Sequence, residues 1–242
     1  MDAGMQQPPA QQGGGGNALL DLVNVLYEPG AVFGRVKAKP RFLIPFLGLA
    51  ALMLTIAFTM KPFFAAGLQA GAADAASRLT PEQAARMPSA ATQATFVVVF
   101  TPIIVLLSVL IGAGLMWVTV SLTGSESKFK SLLSVLTYSY VTYVVFSIVT
   151  SVVLHLRGVE SVASMADVRA QLGLDLLAPN AGKFLSAFLG GINPFSVWGV
   201  WMTGTGIAVT AGASKNAGYV AAGIAYVVGL LLLSVLAMFQ QG

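Results

Sequence analysis

The sequence predicts an all-α fold: a polytopic integral membrane protein built as a bundle of five transmembrane helices, with short amphipathic helices at the membrane interface. Three observations predict it: a high hydrophobic content, a low charged content and five long uncharged stretches. Of the 242 residues, 56% are hydrophobic and only 9% are charged, whereas a soluble domain carries roughly 25% charged residues. So few charges cannot cover a protein of this length in water. The third observation is a set of five long stretches that contain no charged residue.

The five stretches define the predicted membrane domain, residues 42–239. Each is about 19 to 28 residues long, and at roughly 1.5 Å rise per residue the shortest reaches about 28 Å, close to the roughly 30 Å hydrocarbon core. They lack the strict apolar-polar alternation of membrane β-barrel strands. The predicted spans are Phe42–Met60, Phe96–Leu122, Leu132–Leu154, Phe184–Ala211 and Ala217–Phe239.

Two segments precede the first span. Residues 1–17, rich in Gln, Gly and Pro, have too few apolar groups to offset chain entropy and are predicted to be a disordered tail. Residues 18–41 are predicted to form cytoplasmic interfacial helices, because an apolar helical face is followed by cations suited to anionic headgroups. A packed cytoplasmic cap is the alternative. The apolar face consists of Leu19, Leu20, Val23, Leu26 and Tyr27.

The basic residues predict the orientation, because cations close to span ends are retained in the cytoplasm. They crowd the entrance to the first span and the two shortest connections, whereas the two long loops dilute their cations among acidic residues. We therefore expect a cytoplasmic N-terminus and an external C-terminus. This expectation rests on proximity and loop length rather than on number. The cations near the span ends are Arg35, Lys37, Lys39, Arg41, Lys128, Lys130 and Lys215.

Several function classes conflict with the composition. The chain has no cysteine and one histidine, His155, which excludes thiol chemistry and a His/Cys metal cluster. The five stretches contain no Asp, Glu, Lys or Arg, although carriers, ion channels and membrane enzymes need such groups at membrane depth. We therefore expect a non-enzymatic protein with no catalytic, cofactor-binding or metal site. The net charge of +4 is scattered, so nucleic acid is not an expected partner.

The fourth predicted span contains a helix-breaking sequence, Gly190-Gly191-Ile192-Asn193-Pro194. Because Pro194 lacks a backbone N–H and paired glycines favour irregular backbone, a break is predicted at Asn193 and Pro194. A substrate-facing bend is one interpretation of the break. The favoured interpretation is a new helix that begins at Pro194 after a short apolar helix.

Three motifs occur in order along residues 19–239. Leu26-Tyr27-Glu28-Pro29-Gly30 precedes the first span, Gly124 with Lys128-Phe129-Lys130 and Tyr138-Ser139 marks the entry to the third, and Asn193-Pro194-Phe195 with Trp198 opens the fourth. On these motifs the chain resembles the Yip domain family. These are the Ypt/Rab-interacting five-span membrane proteins of the eukaryotic secretory pathway, which also occur in bacteria and archaea. The third motif is similar to a pattern of prokaryotic members.

The resemblance implies a membrane adaptor or scaffold with a role in membrane organisation or trafficking. Eukaryotic members are thought to bind prenylated small GTPases and each other. Here Val25 stands where those proteins often have an acidic residue, and their polar cytosolic arm is reduced to the Gln/Gly tail. A small GTPase is therefore not carried over as a partner. A prokaryotic member in a bacterial inner membrane is expected.

The basic cytoplasmic face is the expected contact surface for membrane lipids, other membrane proteins or a second copy of the chain. Its candidate contact residues are Tyr27, Pro29, Lys128, Lys130 and Tyr138. The alternative is a transporter or channel subunit for a neutral or lipid-like solute. A row of hydroxyl groups in the third span suggests that alternative: Thr137, Tyr138, Tyr140, Thr142 and Tyr143.

Overall fold

The computed structural model describes residues 17–77 and 79–239, and within these ranges the chain folds into helices without a strand. The predicted tail, residues 1–17, lies outside the described residues apart from Asn17. Three 3-10 turns occupy the loop that follows α7. The α-helices are α1 Leu20–Asn24, α2 Pro29–Ala38, α3 Leu43–Ser77, α4 Pro81–Ala85, α5 Ala90–Leu122, α6 Phe129–Ser139, α7 Val141–Arg157, α8 Lys183–Gly191, α9 Pro194–Ala211 and α10 Lys215–Phe239.

Four helical segments in the described ranges are long and apolar enough to cross a membrane. They are Leu43–Ala72, Ala90–Leu122, Phe129–Arg157, which combines α6 and α7, and Lys215–Phe239. The all-α membrane fold is therefore confirmed. The predicted count of five spans is not confirmed, because the stretch Phe184–Ala211 is not among the four segments that are long and apolar enough. It is divided into α8 and α9 at Ile192 and Asn193, where Pro194 cannot continue the hydrogen-bonding of the preceding helix.

The helix that begins the membrane domain is longer than its apolar stretch. The predicted span ended at Met60, but α3 continues through Lys61 and Pro62 to Ser77, a length of about 50 Å. Hydropathy marks where the apolar sequence stops, whereas the alanine-rich sequence beyond Pro62 still favours helix. Helix α5 is similarly long and packs along α3.

Helices α8 and α9 together run antiparallel to α10 along its length. Near one end of α10, Gly218 packs against Ala208 of α9. In the middle, the hydroxyl of Tyr226 donates to the carbonyl oxygen of Gly191 at 2.5 Å. Towards the other end, Phe184 of α8 lies beside Met238. The broken pair α8–α9 therefore covers the same distance along the bundle as the unbroken helix α10.

One end of the bundle gathers the segments that carry most of the cations near span ends; we call it the basic end. It comprises α1, α2, the turn between α5 and α6, and the turn between α9 and α10. Helices α2, α6 and α9 meet near this end at Gly206 of α9, where a Cβ atom would contact Val135 of α6 and Phe33 of α2. Phe33 is fully buried there. Segments far apart in sequence thus meet at one end of the bundle.

Candidate partner-contact surface

Lys128 and Lys130 lie on the surface at the start of α6. The turn before them depends on Gly124, whose φ of +72° suits glycine and few other residues. Both lysine side chains are exposed. Beside them the turn forms an open depression of about 590 Å³, bordered by Trp117, Ser121 and Lys128. The two lysines are therefore accessible to a partner, as the sequence suggested.

The other three predicted contact residues differ in accessibility. Tyr27 is 80% exposed, just beyond the end of α1. Pro29 is buried as the first residue of α2, where its missing N–H costs no helical hydrogen bond. Tyr138 is only 2% exposed and belongs to the central hydrophobic cluster. Of the five predicted contact residues, Tyr27, Lys128 and Lys130 are therefore exposed, whereas Pro29 and Tyr138 are packed inside the basic end.

An ion pair fixes α1 to α2. The guanidinium of Arg35 donates two hydrogen bonds to the carboxylate of Asp21: Nη2 to Oδ1 at 2.5 Å and Nε to Oδ2 at 3.2 Å. Asp21 is 5% exposed, whereas the Arg35 side chain remains partly open. The hydrogen bond with Asp21 raises the pKa of Arg35 above its already high ordinary value. Arg35 is therefore a permanent cation, and two-point geometry of this kind is rigid.

Sequence reasoning named the cations of α2 but did not find this pair. Nothing in the sequence signalled it, because Asp21 falls opposite the apolar face of α1, where a carboxylate is expected in water; the fold instead buries Asp21, and a buried charge needs a partner. What the sequence could not supply was the turn at Glu28 and Pro29 that folds α2 back so that Arg35 reaches Asp21 across fourteen positions.

At the predicted break, α8 ends at Gly191 and α9 begins at Pro194. Asn193 caps α9: its Oδ1 accepts from the N–H groups of Phe195 and Ser196, and the Ser196 hydroxyl accepts from the Asn193 N–H at 3.0 Å. This reciprocal arrangement is a capping box. It is the arrangement expected when a new helix starts at Pro194.

The carbonyl groups released by the break are bonded within the protein. The side-chain amide of Asn193 donates to the carbonyl oxygens of Gly190 and Gly191, at 3.2 and 3.3 Å. Gly191 also accepts from Tyr226, and the Ile192 carbonyl accepts from the N–H of Leu174 in the preceding loop at 3.0 Å. Transporters with broken helices use such free carbonyls to hold ions. Here each of them already has a donor.

Two threonines of the hydroxyl row in the third span also donate hydrogen bonds to backbone carbonyls of their own segment. The hydroxyl of Thr137 donates to the carbonyl oxygen of Leu133 at 2.7 Å, and that of Thr142 to the carbonyl oxygen of Ser139 at 3.0 Å. In a membrane helix, such bonds give the threonine hydroxyl a hydrogen-bond partner within its own helix. Tyr143 is exposed on the outside of the bundle. The row therefore does not form a continuous polar lining.

The family model described as the Yip1 domain matches residues 23–237. The chain belongs to the Yip1 domain family. Its membership covers nearly the whole chain, from within α1 to the last turns of α10, and includes all three motifs on which the resemblance rested. No curated protein matches it. No solved structure matches it either.

Membership of the Yip1 family and the four apolar helices together make the chain a multi-pass membrane protein. The Yip1 family is not a known family of enzymes. In this Yip1 chain the motif around Tyr27 and Pro29 joins α1 to α2, and the motif around Lys128 and Tyr138 begins α6. Both motifs meet at the basic end.

Proposed function

We propose that this Yip1 chain is a non-enzymatic membrane adaptor that associates laterally with other membrane proteins or with a second copy of itself. Its contact surface is the basic end, through Tyr27, Lys128 and Lys130. The observation that carries the proposal is a contrast within the structure. The hydroxyls of Thr137 and Thr142 and the carbonyls at the break between α8 and α9 are hydrogen-bonded within the protein, whereas the two lysines and the tyrosine at the basic end are exposed.

We further propose that the chain crosses the membrane five times. The antiparallel course of α8 and α9 along α10 supports this, because a pair that travels the length of a crossing helix traverses the same layer. The bonded carbonyls at the break support it too, since unpaired backbone groups are costly in lipid. Five crossings leave the N-terminus and C-terminus on opposite sides. We propose that the basic end faces the cytoplasm of a bacterial cell, because cations near span ends are retained on the cytoplasmic side.

A transporter or channel for a neutral solute is the alternative function. It needs a polar path with groups free to bind a solute, and such paths line up unpaired hydroxyls or carbonyls. The hydroxyls of Thr137 and Thr142 and the carbonyls at the break are instead bonded within the protein. These bonds favour the adaptor.

Photo-crosslinking tests the adaptor. A photoreactive phenylalanine analogue replaces Tyr27, whose side chain is exposed and aromatic, in the protein in its native membrane. We expect one discrete adduct with a membrane protein or with a second copy. The adduct is expected to weaken severalfold in the variant Lys128→Ala/Lys130→Ala, because both lysines belong to the same surface.

Two controls define the result. The same analogue at Tyr143, exposed in the membrane layer, is expected to give no matching adduct. Arg157→Ala removes an exposed cation at the other end and is expected to leave the Tyr27 adduct unchanged. A Tyr27 variant that gives no adduct, or an adduct that Arg157→Ala reduces as much as the lysine variant does, rejects the basic end as the contact surface.

A further inference from the structure

Helix α1 lies beside the first turns of α3. A Cβ atom on Gly48 would come within 2.8 Å of Leu19 and 3.1 Å of Leu22. Gly48 is five residues beyond Leu43, the start of α3, and thus about 7 Å inside the span. Amphipathic helices that lie in a membrane interface bury their apolar side about 5–10 Å into that boundary.

The two sides of α1 have different surroundings. Asp21, Leu22 and Val25 face the protein and are buried. The opposite side, which we call the α1 edge, consists of Leu19, Leu20 and Val23. Leu20 is 59% exposed and Val23 is 55% exposed. A helix that packs one side on the protein thus presents apolar residues on the other, although such residues gain nothing from contact with water.

The α1 edge continues an apolar surface of α3. Leu43, Ile44 and Leu47, in the first turns of α3, are exposed in the same way. In a membrane protein these side chains of a crossing helix face lipid. Because Leu19 touches α3 next to Leu47, lipid that covers one surface also reaches the other.

The exposed charges of the N-terminal helices favour anionic lipid. Lys37 and Lys39, at the end of α2, and Glu28, just before its start, are exposed, which leaves a net positive charge. The carboxylate of Asp21 is buried and engaged by Arg35, so it does not offset that charge at the surface. Cations next to an interfacial helix attract anionic headgroups.

Helix α2 reaches a similar depth. Phe33 contacts Gly206, which is five residues before the end of α9 at Ala211 and thus about 7 Å inside that helix. The two N-terminal helices therefore share one level. Helix α2 is enclosed by α6 and α9, and α1 is left on the outside of it.

From these observations we propose that the α1 edge is a lipid-binding surface: Leu20 and Val23 insert into the leaflet at the basic end, and Lys37 and Lys39 bind the phosphates of its anionic lipids. Tyr27 follows Val23 by one helical turn, so the α1 edge borders the proposed adaptor surface, but lipid binding by Leu20, Val23, Lys37 and Lys39 does not require Lys128 or Lys130. It anchors the N-terminal helices independently of any protein partner.

The absence of cysteine allows a site-specific test in the full chain. Single-cysteine variants Val23→Cys and Glu126→Cys carry an environment-sensitive fluorophore and are reconstituted into phosphatidylcholine nanodiscs. Glu126 is exposed in the turn between α5 and α6, at the same end of the bundle but away from α1. Leu52→Cys, exposed within the span of α3, is the reference for lipid contact. We expect a spin label placed near the headgroup to quench position 23 about twofold more than position 126.

The second arm tests charge. Replacing about a third of the lipid by phosphatidylglycerol is expected to increase the quenching at position 23, since anionic lipid adds electrostatic attraction. Lys37→Gln/Lys39→Gln is expected to abolish that increase, whereas Arg157→Gln, at the other end, leaves it intact.

Three results would overturn the proposal. Iodide that quenches position 23 as strongly as position 126 places the α1 edge in water. Protection of position 23 from both iodide and lipid-borne quenchers means that protein covers the edge. If quenching by the lipid-borne spin label does not change with the phosphatidylglycerol content, the α1 edge does not bind anionic headgroups. The loss of the Tyr27 adduct in Lys128→Ala/Lys130→Ala is measured independently of lipid quenching, so a failure of lipid binding is distinguishable from a failure of the adaptor.

Discussion

The ring of Phe33 lies against the backbone of Gly206. A Cβ atom at position 206 would stand 3.1 Å from two ring atoms and 2.5 Å from a methyl group of Val135. Glycine is therefore required for α2 to enter the space between α6 and α9. The close approach joins both family motifs of the basic end to the membrane bundle.

Gly206→Ala is expected to destabilise the protein by about 1–3 kcal/mol, the cost of overpacking a well-filled core. Because the added methyl group displaces Phe33, α2 should also become more accessible to protease. Thermal unfolding in a fixed detergent and limited proteolysis measure the two effects.

Gly223→Ala is the matched control. Position 223 is also helical, but nothing lies within 4 Å of a Cβ atom there. Alanine should be neutral or stabilise α10 by up to about 1 kcal/mol, because it lowers the entropy of the unfolded chain. Equal destabilisation by both variants would contradict the contact between Phe33 and Gly206.

The Asp21–Arg35 pair gives a second prediction. Arg35→Gln leaves the buried carboxylate of Asp21 without its cation, which in a fully buried pair costs about 3–5 kcal/mol. Since Arg35 is partly exposed, water compensates in part and we expect about 2 kcal/mol. Asp21→Asn/Arg35→Gln should restore part of the loss. A double-mutant cycle from thermal or denaturant unfolding measures the coupling.

Lys37→Gln removes a cation from the same helix without breaking a buried pair, and should stay within about 0.5 kcal/mol of the native protein. If Lys37→Gln and Arg35→Gln have the same effect, loss of charge explains both, and the pair has no specific role.

Most of the architecture could be predicted because lipid imposes simple rules. The stretches around Phe96–Leu122 and Leu132–Leu154 carry no charge over the thickness of a bilayer, and both occur as helices. Hydropathy does not show where a helix ends, which is why α3 continues past Met60. It also does not show that a broken segment such as Phe184–Ala211 still follows α10 from end to end.

The contact surface was less predictable. The sequence separates cations from apolar blocks, so it indicates that Lys128 and Lys130 reach the surface. It does not reveal the packing of α2 against α6, or that Tyr138, about two turns beyond Lys130 in α6, is buried in the central hydrophobic cluster. Burial of an amphipathic side chain such as tyrosine depends on which helices become neighbours, and this is a tertiary property.

Asn193→Ala gives a third prediction, at the break between α8 and α9. The change removes the cap of α9 and the two amide donors that serve Gly190 and Gly191. Loss of a cap costs about 0.5–2 kcal/mol, and unsatisfied carbonyls in a membrane add to it, so about 2 kcal/mol is expected. The unfolding midpoint in detergent measures it.

Pro194→Ala is the comparison for Asn193→Ala. The backbone nitrogen at the first position of a helix makes no intrahelical hydrogen bond, so replacing proline there breaks none, and Asn193 can still cap α9. The expected loss in the free energy of unfolding is about 0.5 kcal/mol or less. A larger loss for Pro194→Ala than for Asn193→Ala would show that proline rigidity, not the hydrogen bonds of Asn193, maintains the break.

The number of crossings gives the fourth prediction. If α8 and α9 cross the membrane together, the turn before α10 lies on the same side as the turn before α6. A cysteine in place of Ser214, which is exposed between α9 and α10, should then react with a membrane-impermeant thiol reagent on the same side as a cysteine replacing Glu126. A cysteine replacing Glu160, in the loop after α7, should react on the opposite side.

With only four crossings the result is reversed, because α10 would have to start from the side where α7 ends. Ser214→Cys would then be labelled together with Glu160→Cys. Sealed vesicles of known orientation, treated with the reagent before and after permeabilisation, separate the two cases. Each variant carries a single thiol because the chain has no cysteine of its own. The side on which Ser214→Cys reacts therefore decides whether a helix interrupted at Asn193 spans the bilayer.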